Sequence, residues 1–194
     1  FIDLVGYSKK SVADQIQVKE RFNYALSEAI KDTPVADRIV LDTGDGAAIS
    51  FLGDPEDALF VTLNLRDQYA KLAEEFTDDA VRMGINLGPV KLVRDINGQP
   101  NIIGDGINVA QRIMSFGRPS QVIVSRSYYD AVSRISDDYA KLFHFEGSKT
   151  DKHVREHEVY LVGDSEPDPH LALSERAVVR STRPSGPSRY IPAV

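Results

Sequence analysis

Residues 38–53, RIVLDTGDGAAISFLG, leave a chain few ways to fold. Two runs rich in apolar and β-branched residues flank Thr-Gly-Asp-Gly, which reads as two antiparallel strands pinched by a tight turn. A helical pattern precedes them. Between Ser8 and Asp32, Val12, Ile16, Phe22, Leu26 and Ile30 recur near one face, and charges fill the other. Asp54-Pro55, an N-cap followed by a first-turn proline, opens a second helix. That helix is expected to run to about Phe76 with Leu59, Thr62, Leu65, Tyr69, Leu72 and Phe76 on its buried side. The chain begins with the strand-like FIDLVGY, and AVRMGINLGPVKLV supplies two more strands around Gly88-Pro89. The order β-α-β-β-α-β predicts an α+β fold with a ferredoxin-like βαββαβ core, helices packed on a mixed sheet.

Further α/β elements follow. DINGQP is a hairpin turn built on Asn-Gly, and GDGINVAQRIMSFG is a short helix ending at Gly117. SQVIVS reads as a buried strand, SRSYYDAVSRI as a helix, and YAKLFHFEG with REHEVYLVG as a strand pair. After Gly163 the chain turns rich in Pro, Ser and Arg. Two parts are therefore expected: a domain over 1–163 and a tail or linker over 164–194. The sequence opens at Phe1, already inside a strand-like run, and is read as a piece of a longer protein.

Composition narrows the function. The net charge of −6 over 194 residues argues against a nucleic-acid surface, which the phosphate backbone would repel. Anionic phosphates remain possible ligands where bound cations invert the local charge. There are no cysteines, hence no disulfide and no thiolate zinc site, which fits a reducing, cytoplasmic setting. No apolar run in this piece approaches a membrane span, although a membrane or sensor part elsewhere is compatible with it.

Two acids stand out. Asp3 interrupts an apolar strand and needs a partner there. Asp45 sits at the hairpin tip, where ordinary turn chemistry accounts for it equally well. In a ferredoxin-like sheet the first strand is central and neighbours that hairpin, so the two carboxylates can meet. Paired carboxylates without His or Cys suit hard Mg²⁺, whose shell substrate phosphates usually complete. Asn108 and Arg112, four apart on the GDGINVAQR helix, share a face opposite Ile107, Ala110 and Met114. Together they could stabilise a transferring phosphoryl group, though in isolation a solvated helix face explains them. His153 and His157 are not read as metal ligands: on a strand they lie about 13 Å apart, so solvated loop histidines are expected. Tyr128 and Tyr129 are read as packing.

Four motifs decide between these readings. FIDLVGYS resembles the opening motif of the class III nucleotidyl cyclases, the adenylate and guanylate cyclase catalytic domain. TGDGAAISF resembles their metal hairpin, RMGINLGPV their Arg-x-Gly-Ile strand, and GDGINVAQR their Asn/Arg helix, all in family order across 1–163. The resemblance implies that Asp3 and Asp45, with the Leu4 carbonyl, hold two Mg²⁺ or Mn²⁺ ions. It implies that Gly6, Tyr7 and Ser8 begin the phosphate-binding turn and the helix facing the triphosphate, and that Arg82 contacts phosphate. Asn108 would position the ribose and Arg112 would stabilise the transition state, both reaching across a head-to-tail homodimer. The implied activity is cyclisation of a nucleoside triphosphate, ATP first, with release of pyrophosphate.

The family's base-reading Lys and Asp fall on Leu41 and Asn101, and its C-terminal phosphate-binding Lys falls on Glu158, with Lys149 and Lys152 in the preceding loop. The alternatives are therefore a cyclase for GTP or a pyrimidine nucleotide, and a non-catalytic cyclase-like domain that binds nucleotide or regulates a partner. A diguanylate cyclase shares the core, but its Gly-Gly-Asp/Glu-Glu-Phe hairpin is replaced here by Thr-Gly-Asp-Gly.

Overall fold

The computed structural model describes residues 1–72 and 79–163. Phe76, the expected end of the second helix, and the expected tail over 164–194 lie outside the described residues.

The predicted core is present in chain order: β1 (Ile2–Leu4), α1 (Val12–Ile30), β2 (Arg38–Asp42), β3 (Gly46–Phe51), α2 (Glu56–Leu72) and β4 (Val81–Ile85). After it come β5 (Lys91–Arg94), β6 (Pro100–Ile103), α3 (Asp105–Ser115), β7 (Val122–Ser125), α4 (Arg126–Val132), α5 (Asp137–Lys141), β8 (Phe143–Thr150) and β9 (Glu156–Val162). Seven strands form one sheet in the order β2-β3-β1-β4-β7-β9-β8, while β5 and β6 make a separate ribbon. Only β4 and β7 run parallel; the other pairings in the sheet are antiparallel. The first strand is central, with β3 on one side and β4 on the other, as the βαββαβ order requires.

Period-2 alternation divides the interior into two layers. Val122 and Val124 of β7, with Tyr160 and Val162 of β9, join α1, α2 and α4 in the main core. Ile123, Val159 and Leu161 point to the opposite face and pack with Ile113 of α3. The helix bearing Asn108 and Arg112 thus lies across the sheet from α1 and α2. Its seat is close. A Cβ at Gly84 of β4 would stand 2.3 Å from the backbone nitrogen of Met114 and 2.6 Å from its Cα.

Four expectations change. Val12 and Ile16 are 73% and 55% exposed; the buried stripe of α1 is Val18, Phe22, Ala25, Leu26, Ala29 and Ile30. The helix also starts later than Ser8. Gly6 adopts φ +71°, Tyr7–Lys9 form a 3₁₀ turn, and Ser11 caps α1 by accepting the Asp14 N–H. On α3 the fully buried apolar side chains are Ile113 and Met114, with Ile107 and Ala110 half-buried. Finally, Tyr139–Lys141 belong to the helix α5 rather than to a strand: Ser136 accepts the Tyr139 N–H, and Asp137 and Asp138 occupy its first turn. No helix among the described residues is long and apolar enough to cross a membrane.

Gly84→Ala should push α3 off β4. Overpacking of this kind costs about 1–3 kcal/mol, and for a domain of this size each kcal/mol lowers Tm by roughly 2–4 °C. Thermal unfolding followed by circular dichroism measures it, and an unchanged Tm would show that α3 is not rigidly seated.

Candidate active site

The hairpin and the central strand bring the first acidic pair together. Asp3 is registered opposite Gly46 on β3 and opposite Arg82 on β4. The Leu4 N–H donates to the Asp45 carbonyl at 2.8 Å, so the turn residue lies directly beside the end of β1. Gly46 makes this approach possible: a Cβ there would stand 2.0 Å from the Ile2 carbonyl oxygen. Asp45 itself is exposed at the tip. The Asp3 carboxylate is 16% exposed and accepts Nε of Arg82 at 2.7 Å. That ion pair is the partner an acid inside an apolar strand needs. It also joins a predicted metal ligand to the predicted phosphate-contacting arginine. Gly6, Tyr7 and Ser8 follow at once, as the left-handed residue and 3₁₀ turn after β1.

Sequence reasoning missed the group that shapes this turn. Lys19 of α1 donates from Nζ to Asp42 Oδ1 at 2.8 Å, to the Gly44 carbonyl at 2.9 Å and to the Gly46 carbonyl at 3.1 Å. All three donors of the ammonium are spent on the residues flanking Asp45. Asp42 Oδ1 also accepts the Gly44 N–H at 2.7 Å. Burial pushes the Asp42 carboxyl up, but the hydrogen bonds from Lys19 and Gly44 outweigh it and hold the group below the usual carboxylate range. Behind the 3₁₀ turn, buried Asp79 takes two bonds from Arg21, at 2.5 and 2.8 Å, and an ion pair from Lys10 at 3.6 Å.

The second constellation sits on α3. Asn108 is exposed. Arg112, one turn on, is 20% exposed, and its Nε lies 3.2 Å from Asp151 Oδ2 in the β8–β9 turn. Among the described residues no hydrogen bond or ion pair joins Asn108 or Arg112 to Asp3 or Asp45.

Leu41 lies on β2 and Asn101 on β6, two strands that contact each other from separate sheets. Both are half-buried. Asn101 Oδ1 accepts the Ile102 N–H at 2.7 Å, so the amide nitrogen is the side of the group not engaged by that bond. Glu158 is engaged by Arg126 Nη1 at 2.5 Å, while Lys149 and Lys152 are exposed.

The aromatic and histidine expectations divide. Tyr128 is 1% exposed and donates its hydroxyl to the Pro55 carbonyl at 2.7 Å; Tyr129 stacks on Tyr160 with centroids 4.1 Å apart. Both are packing residues. His153 is exposed, but His157 is not solvated: its side chain is 12% exposed, with Nε2 3.1 Å from Asp151 Oδ2. A cavity of about 140 Å³ lies elsewhere, lined mainly by apolar residues such as Phe51, Val61, Ile85, Ile107 and Ala110. None of the predicted site residues lines it, and it is small for a nucleotide, since ligand pockets usually span ~300–1,000 Å³.

No protein-family model matches the chain. It is 28% identical over 142 residues to "Putative adenylate cyclase 3" of Rhizobium meliloti (strain 1021). That match covers 70% of this chain but 23% of the relative, so the chain spans less than a quarter of the relative's length. Among solved structures, the adenylyl cyclase CyaB from P. aeruginosa superposes with a TM-score of 0.67 at 18% identity, covering 86% of this chain and 93% of that one. The guanylate cyclase domain of RhGC from Catenaria anguillulae, solved with GTP, gives 0.65 at 18% identity over 85% and 94%. With the four sequence motifs placed on β1, the β2–β3 turn, β4 and α3, the chain has the fold of the class III adenylyl and guanylyl cyclase catalytic domain.

Proposed function

We propose that this domain is a nucleotide cyclase, converting a nucleoside triphosphate to its 3′,5′-cyclic monophosphate and pyrophosphate in a head-to-tail homodimer. The observation that carries the reading is the meeting of Asp3, Leu4, Asp45 and Arg82 at one end of β1. The donor set there is all oxygen, two carboxylates and a backbone carbonyl, which fits Mg²⁺ or Mn²⁺. Two such ions, when bound, activate the ribose 3′-hydroxyl and neutralise the leaving pyrophosphate. Asp3 and Asp45 would hold them. Arg82 would turn toward the triphosphate, and the turn from Gly6 to Ser8 would offer backbone N–H groups to it. In the reaction the 3′-oxygen bonds to the α-phosphorus, the α–β phosphoanhydride breaks, and the hydroxyl proton leaves to solvent. Asn108 and Arg112 would orient the ribose and neutralise charge at the α-phosphorus, so catalysis is positioning and electrostatics.

Asn108 and Arg112 make no hydrogen bond or ion pair with Asp3 or Asp45 among the described residues, and the reading places them at a shared site in which each protomer supplies one half. A non-catalytic nucleotide-binding or regulatory domain is the competing reading. It is favoured by Leu41 in place of the family's base-reading Lys, and by Glu158, held by Arg126, in place of its phosphate-binding Lys.

Asp45→Ala and Arg112→Ala should each abolish cyclisation and keep the fold, since each removes a site group and no core volume. Mixed in equal amounts, the two variants should regain up to about a quarter of wild-type activity by random pairing. That follows because the heterodimer rebuilds one complete site from the unmutated halves. A pyrophosphate-release assay with Mn²⁺ reads it, and no recovery despite proven subunit exchange would count against the shared site.

Lys19→Met should loosen the turn around Asp45. Supporting residues around a metal site are typically worth about 10–100-fold in affinity. Mn²⁺ titration by electron paramagnetic resonance should therefore show about tenfold weaker binding with little change in Tm. Wild-type affinity would remove Lys19 from the site's support.

Base selection should be weak. Leu41 offers only apolar contact, and Asn101 presents a donor, which faces the adenine amine poorly and a carbonyl-bearing base edge well. A site rejects a base strongly only when its own buried polar groups would be left unpaired. Incubation with each of the four nucleoside triphosphates and Mn²⁺, with products resolved by mass, should give turnover of more than one, ATP among them. Leu41→Lys with Asn101→Asp should raise the ATP:GTP ratio of kcat/KM. A wild-type enzyme selective for one base, or an unchanged ratio in the double variant, would show that other residues read the base.

A further inference from the structure

One buried carboxylate has no part in the scheme above and touches it directly. Asp151 opens the β8–β9 turn, and its side chain is 3% exposed. Its two oxygens have different work. Oδ1 accepts the backbone N–H of His153 at 2.8 Å and of Arg155 at 3.0 Å, which shapes the turn. The Asp151 N–H donates to the Arg155 carbonyl and the Val154 N–H to the Asp151 carbonyl, so the turn closes on backbone bonds as well. Oδ2 plays no part in the turn. It faces Nε of Arg112 from α3 at 3.2 Å and Nε2 of His157 from β9 at 3.1 Å. The His157 ring is itself packed beside Phe116, centroids 6.0 Å apart, so the carboxylate is gripped from a fixed direction. Burial would push this carboxyl up; the bonds from Arg155, His157 and His153 and the Arg112 charge hold it well below the usual carboxylate range, so it stays ionised.

The arginine shows the matching half. Its Nε lies 3.2 Å from Asp151 Oδ2 in an ion pair, while Nη1 is shielded from solvent and has no partner among the described residues. A guanidinium drawn to a fixed carboxylate on its Nε side is biased in direction and leaves its terminal donors for another oxygen. We propose that Asp151 is a positioning residue that orients the Arg112 guanidinium, with His157 locking the carboxylate that does so. The inference rests on Arg112 acting on substrate as proposed above, and it makes the β8–β9 turn part of the site's support.

Asp151→Asn separates the two jobs. The amide oxygen can still accept the His153 and Arg155 N–H groups, but its NH₂ then faces Nε of Arg112, donor against donor. The turn survives and the grip is lost. Misplacement of a catalytic group by about 1 Å can cost on the order of 100-fold, so kcat should fall about 10–100-fold with KM within about twofold and Tm nearly unchanged. Wild-type kcat in Asp151→Asn would overturn the proposal.

A second measurement does not depend on turnover. The Arg112 Nε–H resonance, assigned by its loss in Arg112→Lys, should be protected from solvent exchange in the wild type and exchange freely in Asp151→Asn. An Nε–H unaffected by Asp151→Asn would overturn the grip whatever the activity. A wild type that forms no cyclic nucleotide, with an Asp151-dependent Nε–H, would overturn the cyclase reading and leave the orientation of Arg112 by Asp151 standing.

Discussion

The rest of the molecule is arranged around a strand of three residues, β1, hydrogen-bonded on both edges. A segment so short gains little from its own ladder; it is held because Ile2 and Leu4 are buried at 2% and 3% exposure and because both neighbours close on it. The closest approach comes from β3, where Gly46 brings backbone against the Ile2 carbonyl with no room for a side chain. That contact sets where the β2–β3 turn ends, and so where Asp45 stands relative to Asp3. On the other edge Arg82 balances the charge of the acid that breaks the apolar strand.

The supports of the site come from far along the chain and are polar. Lys19 reaches from α1 to the turn, Arg21 and Lys10 tie the segment after β1 to Asp79, and Asp151 reaches from the last turn to α3. Each is a charged group, largely shielded, whose bonds go to backbone groups or to other polar or oppositely charged side chains. In such surroundings a satisfied polar network rigidifies and a half-satisfied one is costly. The apolar layers hold the elements together, and these few charged side chains set the direction of the groups at their ends.

What could be read from the sequence follows the range of the physics involved. The β2–β3 hairpin was legible because Gly-Asp-Gly is local turn chemistry, and the central place of β1 because the order of elements dictates it. Helical phase was a weaker guide. It says which way Val12 and Ile16 point, not whether anything lies there to cover them, and both are exposed. The short helix α5 carried a readable signal, Ser136 followed by two acids, but the apolar run after it suggested a strand. At the candidate site, Asp3 stood out as an acid inside an apolar strand, while Asp45, Asn108 and Arg112 were singled out through the motifs around them. Lys19 and Asp151 were not legible at all, since nothing local distinguishes them from other surface-type charges. Asn101 was visible as a position, while the direction of its amide depended on the Ile102 N–H.

The division of the interior also has a consequence for how the domain tolerates change. Along β7, Val122 and Val124 belong to the layer of α1 and α2, and Ile123 between them belongs to the layer under α3. Adjacent codons therefore answer to different constraints: the outer two to the integrity of the fold, the middle one to the seat of the helix carrying Asn108 and Arg112. Sequence drift along this strand can retune the tilt of that helix without loosening the opposite core, and the two properties can diverge within a span of three residues.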